Sequence, residues 1–215
     1  MKQLPVKFLI SILSFTILLS GCGTPSQKYG ASKSEGVYFT VPNSWYEIPT
    51  ASLVAEEKKN GDNLERAFQV KWQLAFTTSR DVRPSDVFDL ATPESPIAYA
   101  RVRELFPAEI NSINYNEMRD VVVPLTSWLD GTAKDDHKIN LLEDYERIEK
   151  GARGVRSIFT YEYKGISSFI DQTVLLTEDH TKLYMFIVRC TTACQKKNKI
   201  EMTKIGDSFT VRGTK

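Results

Sequence analysis

Two histidines and three cysteines are all that this 215-residue chain has of the side chains that most often build metal and nucleophilic sites. His137 stands in Lys134-Asp135-Asp136-His137-Lys138 and His180 follows Glu178-Asp179. Both contexts are polar, and both read as surface histidines. No His-Glu-x-x-His, Gly-x-Ser-x-Gly, Ser-x-x-Lys or glycine-rich phosphate loop is present, so the motif-bearing hydrolases and nucleotide enzymes are excluded. Acids do pair, as Glu56-Glu57 and Asp135-Asp136, but in charged surroundings that offer no desolvation to raise one pKa for general acid work. A dominant charge is missing too. With 28 Lys+Arg against 27 Asp+Glu the formal charge is +1, and such a balance creates no overall field to gather nucleic acid or an anionic membrane surface. The chain shows no internal repeat, and the residues call for no metal and no cofactor.

What is present starts at the N-terminus. Lys2 and Lys7 precede an apolar run, Phe8 to Leu19, broken only by Ser11, Ser14 and Thr16. The run ends in Leu18-Leu19-Ser20-Gly21-Cys22, which resembles a bacterial lipobox. That likeness implies cleavage between Gly21 and Cys22 and a diacylglycerol on the Cys22 thiol. The other reading is an uncleaved transmembrane anchor, but such a run makes a helix of about 18 Å against roughly 30 Å of hydrocarbon. No other segment approaches the length needed to cross a bilayer. Residues 1–21 therefore read as a signal peptide. Losing Lys2 and Lys7 takes the formal charge from +1 to −1. The implied location is the cell envelope, outside the cytoplasm, with a bacterial membrane as partner through the lipid on Cys22.

Gly23 to Gly36 is small, polar and without apolar periodicity. It reads as a tether, completing an anchor segment over 22–36, with a reach of about 45–50 Å extended and roughly 20 Å as a coil. Residues 37–215 then form a single domain, a length that suits one sizeable core. Val37, Phe39 and Val41 alternate with Tyr38 and Thr40 as in a half-buried strand, Pro42-Asn43-Ser44 turns, and Trp45 opens a second short strand. Thr50 to Lys59 reads as a helix. Leu64 to Phe76 reads as a strand with Phe68, Val70, Trp72 and Leu74 inward. Pro84, Pro93, Pro96 and Pro107 punctuate a middle of loop character, with a strand over Pro96–Leu105 and a helix over Asn116–Leu129 that Pro124 would kink or shorten. Ile139 to Glu149 fits helix or strand. A meander follows, with turns at Lys164-Gly165 and Glu178–Thr181 and a third strand over Lys182–Cys190. A closing helix over Gln195–Gly206 then carries Lys196-Lys197-Asn198-Lys199 as a solvated face, ahead of a last strand or coil over Ser208–Val211.

Three features together resemble the Mog1/PsbP-like group. They are a first strand running into Val41-Pro42-Asn43-Ser44-Trp45, the Gly151-Ala152-Arg153-Gly154 lead into the meander, and a last helix running into Asp207-Ser208-Phe209. The resemblance implies an α+β fold, an antiparallel sheet flanked by helices in an α/β/α sandwich. Lipoproteins of this look act mostly as binding or accessory factors, which implies a non-catalytic module for an envelope ligand or protein partner. The resemblance marks a fold and not a site.

Cys190 and Cys194 remain once Cys22 is acylated, and an oxidising location favours pairing them. A metal site would need more ligands than Cys190-Thr191-Thr192-Ala193-Cys194 offers, and the Cys-x-x-Cys redox spacing is absent. A structural disulfide is the reading, with two free thiols as the alternative. Trp45 and Trp72 fall in strand patterns and belong to the core; Trp128 is harder to place, and Tyr99 and Tyr115 fall in the irregular middle. That middle, roughly Asp81–Asn116, is where a recognition site is expected, because loops on a rigid scaffold often carry one. An envelope enzyme with an acid/base site assembled by the fold is the alternative function. A pocket of converging acids would favour the enzyme, and an apolar groove the binding module.

Overall fold

The computed structural model describes residues 26–59, 68–89, 91, 93–133 and 138–212. The leader, Cys22, His137 and the Asp135-Asp136 pair lie outside the described residues. Two sheets carry the architecture. Strands β1 (Gln27–Ser32) and β2 (Val37–Pro42) pair antiparallel, and β10 (Thr210–Val211) returns to the other side of β2. The larger sheet has seven antiparallel strands. In sequence they are β3 (Tyr46–Ile48), β4 (Val70–Thr77), β5 (Ile97–Glu104), β6 (Asn140–Glu149), β7 (Ala152–Tyr163), β8 (Ile166–Thr177) and β9 (Lys182–Thr191). In space their order is β3-β4-β5-β9-β8-β7-β6.

Both faces of the large sheet are covered. The small sheet and α6 (Thr192–Ser208) pack on one face, where Phe39, Trp45, Phe76, Phe186 and Phe209 form the main core with Met202 and Ile205. Phe186 and Phe209 stack with ring centroids 4.8 Å apart. The other face lies under α1 (Thr50–Lys59), α2 (Pro84–Phe88), α3 (Pro107–Ile110), α4 (Tyr115–Arg119) and α5 (Leu125–Leu129). Leu53, Val87 and Leu125 meet Tyr99, Phe159 and Tyr161 there, and Met118 meets Val155, Val174 and Leu183 farther along. The chain is thus α+β, with an antiparallel sheet flanked by helices.

Several sequence expectations change. Gln27–Ser32, read as tether, is a strand in six-residue register with β2, because the hydrogen bonds of β2 need a neighbour whatever its polarity. Residues 64–67 lie outside the described residues and β4 starts only at Val70. Phe68 is 76% exposed and Gln73 fully buried, so the one-faced alternation fails; helices cover the face assigned to solvent. The helix expected over Asn116–Leu129 is two short ones, with Pro124 as the N-terminal flank of the second. Pro124 lacks the N–H that a continuous helix would use. Ile139–Glu149 resolves as strand β6. Helix α6 is longer than expected and departs from helical geometry at Asn198, whose side-chain amide donates to the Cys194 carbonyl at 2.9 Å.

Candidate functional site

A cleft of about 360 Å³ opens between the sheet and α3–α4. Its floor follows from strand register. Arg101 and Arg103 of β5 point to the helix-covered face, and β9 sets Met185 opposite Arg101 and Leu183 opposite Arg103. The roof comes from the chain between α3 and the end of α4, with Ser112, Ile113, Glu117, Asp120 and Val121. Pro107 at the first position of α3 fits a helix start, where the missing N–H costs nothing. The roof is fixed to the floor by one strong pair. Arg103 donates to both Glu109 oxygens, at 2.7 and 2.9 Å, and Glu109 also accepts from the Phe106 N–H at 2.9 Å.

A second polar chain runs beneath the cleft. Arg101 pairs with Glu57 at 2.7 Å, Gln73 donates to Glu57 at 2.8 Å, and the Tyr99 hydroxyl donates to Gln73 at 2.7 Å. Burial pushes the Tyr99 hydroxyl well above the usual phenol range, so it stays a neutral donor. Glu57, counted in the sequence among solvated acids, is buried instead. It lies on the inner side of α1, where Gln73 and Arg101 replace its water.

The other lining groups are engaged as well. The Ser112 hydroxyl donates to the Ala108 and Glu109 carbonyls, Glu117 accepts from the Asn114 N–H, and Asp120 accepts from the Thr126 N–H. Ser112 has no histidine or lysine among the residues that line the cleft with it, so the arrangement offers no activated nucleophile. Among the described residues no group of three or more His, Cys, Asp or Glu could hold a metal ion. What remains is a pocket with apolar patches from Ile113, Val121, Leu183 and Met185 between internally paired charges. Such a surface can hold a small amphipathic group.

The expected middle, 81–116, lines this cleft through its part from Arg101 to Ile113. Its beginning is bolted to the sheet: Arg189, almost wholly buried, donates to the carbonyls of Asp86, Val87 and Asp89 at 2.5, 2.9 and 2.6 Å. Burial pulls the Arg189 pKa below the ordinary arginine value. Tyr99 is buried and not exposed, while Tyr115 donates to Glu146 of β6. Trp45 is buried and donates to Glu201 at 2.9 Å; Trp72 packs half-buried on the core, and Trp128 lies against Tyr161 at 5.5 Å between centroids. His180 sits in the β8–β9 turn at φ 57 and borders a groove with Tyr115 and Arg153. Cys190, at the end of β9, is joined to Cys194 in the first turn of α6, with Cα atoms 6.0 Å apart. The sequence reading missed Arg189 and the Arg156–Asp171 pair under α6. The available signal was a charge inside an apolar strand run, as in Ile187-Val188-Arg189-Cys190.

No protein-family model and no curated protein sequence matches the chain. Among solved structures it is similar to the cyanobacterial PsbP protein (CyanoP) of Synechocystis sp., at 15% identity over 90% of this chain and 98% of that one, with a TM-score of 0.49. It is also similar to LpqN of Mycobacterium tuberculosis, described as involved in cell envelope biogenesis, at 10% identity over 87% and 91% of the two chains with a TM-score of 0.48. These likenesses assign no residue a role.

Proposed function

We propose that this is an exported protein, acylated on Cys22 and held at a bacterial membrane, that works as a non-catalytic binding or accessory module. Its cleft between β5, β9 and the α3–α4 segment takes a small amphipathic envelope ligand or the side chains of a protein partner. The leader and Leu18-Leu19-Ser20-Gly21-Cys22 support the location. The observation that carries the binding reading is the state of the acids in the cleft. Glu109, Glu117 and Asp120 converge there, as an acid/base site would need, yet each is engaged in holding its own helix or its neighbour. A carboxylate fixed as a cap or a pair is not free to shuttle protons.

The test uses the membrane-derived protein and native mass spectrometry against fractionated envelope extract. Ser112→Trp, an exposed substitution at the cleft wall, should remove the mass shift of a bound component that the unaltered protein retains. Binding that survives Ser112→Trp would move the site elsewhere. Turnover of an envelope substrate that is abolished by Asp120→Asn in a folded protein would replace the binding module with the enzyme.

A further inference from the structure

Helix α6 turns one side to the core through Cys194, Met202, Ile205 and Gly206. Its other side carries Lys196, Lys197, Lys199 and Lys204, all exposed, around Ile200, which is 75% exposed. Lys196 and Ile200 stand on either side of the break at Asn198, while Ile200 and Lys204 follow at i+4 spacing beyond it, and all four lysines border one depression together with Ile200. Among the described residues no carboxylate forms an ion pair with these lysines. The one acid among them, Glu201, accepts from the Trp45 indole. A chain that is nearly neutral overall therefore concentrates unpaired positive charge, with an apolar side chain at its centre, on one ridge.

The second observation is where the chain enters the fold. Ser26 and Gln27 line the same depression as this ridge, together with Thr40 and Pro42. Cys22 lies four residues before Ser26, a covalent span of at most about 14 Å. A lipid on Cys22 thus brings the ridge to the height of the headgroups, within one or two Debye lengths of about 8 Å at physiological ionic strength.

We propose that the lysine ridge of α6 docks on anionic lipid headgroups of the bilayer that holds Cys22, with Ile200 entering the interface. This rests on the reading of Cys22 as the acylated residue. The ridge sets the orientation of the domain, which a lipid anchor alone leaves free. Each lysine near an anionic surface strengthens partitioning by about fivefold.

The acylated full-length mature protein, reconstituted in nanodiscs, tests this by lysine acetylation read as a peptide map. On discs containing phosphatidylglycerol, Lys196, Lys197, Lys199 and Lys204 should react several-fold more slowly than on pure phosphatidylcholine discs. Exposed Lys58 and Lys164 should not change. High salt should erase the difference, and K196E, K197E, K199E and K204E together should remove the disc-dependent orientation while leaving the melting temperature in place. Intact mass of the same sample reports acylation separately. An acylated Cys22 with ridge lysines equally reactive on both discs would sink this proposal alone. An unmodified Cys22 would sink the anchor reading and this proposal with it. Protection by an added anionic polysaccharide, and not by the phosphatidylglycerol discs, would put a polymer on the ridge and also overturn it.

Discussion

Gly206 shows how a single residue in this chain is decided by its neighbours. It lies in α6 directly over a buried pair in which Arg156 donates to both oxygens of Asp171, at 2.8 and 2.7 Å, and to Asp207 at 2.6 Å. Helix propensity alone favours alanine there by about 1 kcal/mol. A Cβ would meet Asp171 Oδ2 at 2.4 Å and Arg156 Nη2 at 2.6 Å. Overpacking costs roughly 1–3 kcal/mol, and a displaced buried ion pair adds to it. Gly206→Ala should therefore lower the stability measured by urea unfolding by about 1–2 kcal/mol net; a stabilised variant would mean that the pair relaxes freely. The glycine was visible in the sequence, as was Arg156, but their contact joins residues fifty positions apart, and no periodicity reports that.

Among the elements, the turns and ends were read more reliably than the faces. The β8–β9 turn fell where Glu178-Asp179-His180-Thr181 placed it, since polar residues in that order satisfy their own backbone. Asp179 accepts from the Thr177 and Thr181 hydroxyls at 2.6 and 2.8 Å and from the Thr181 N–H at 3.1 Å. Those donors hold its carboxyl below the usual range. A carboxylate lowered in the folded state contributes stability that is present above its unfolded pKa of about 4 and lost as pH falls through the folded value. The protection factors of the turn amides, taken relative to the intrinsic exchange rate at each pH, should thus fall on acidification below about pH 4 more steeply than in Asp179→Asn. Equal acid sensitivity of the two proteins would contradict this. At the β9–α6 junction, replacing both Cys190 and Cys194 with alanine should cost about 2 kcal/mol by the chain-entropy estimate for so short a loop, read as a lower denaturation midpoint with the fold retained. A peptide map of the unaltered protein with both thiols free would remove the basis for that prediction. The face of β4 was misjudged for a physical reason. Alternation identifies the buried side of a sheet only when the other side meets water, and here helices cover it.

For the molecule as a whole, the largest change concerns where the fold begins. A tether of 14 residues would let the domain wander by tens of ångströms, whereas β1 starts at Gln27 and fixes the fold close behind Cys22. Gly30 tests the difference. It lies under the Phe39 ring, where a Cβ would come within 2.2 Å of Cζ. Gly30→Ala should destabilise the domain by about 1–3 kcal/mol, and an unchanged melting temperature would restore the tether. The tether reading failed because Gln27–Ser32 has no apolar pattern of its own; only pairing with β2 makes it a strand.

The sequence by itself determined the punctuation of this protein, the meander with its turns and the closing helix, while the α+β class came from the resemblance to a known group. The turns and the helix follow from local chemistry, from side-chain period and turn residues. The cleft over Arg101 and Arg103, the buried pairs of Arg156 and Arg189, and the meeting of Ser26 with the α6 lysines were decided only by the tertiary structure. Each depends on which distant segments share a face. A nearly neutral composition gave the Lys196–Lys199 cluster no weight beyond a solvated face, because net charge sums over the whole surface while such a cluster lies on one side of it.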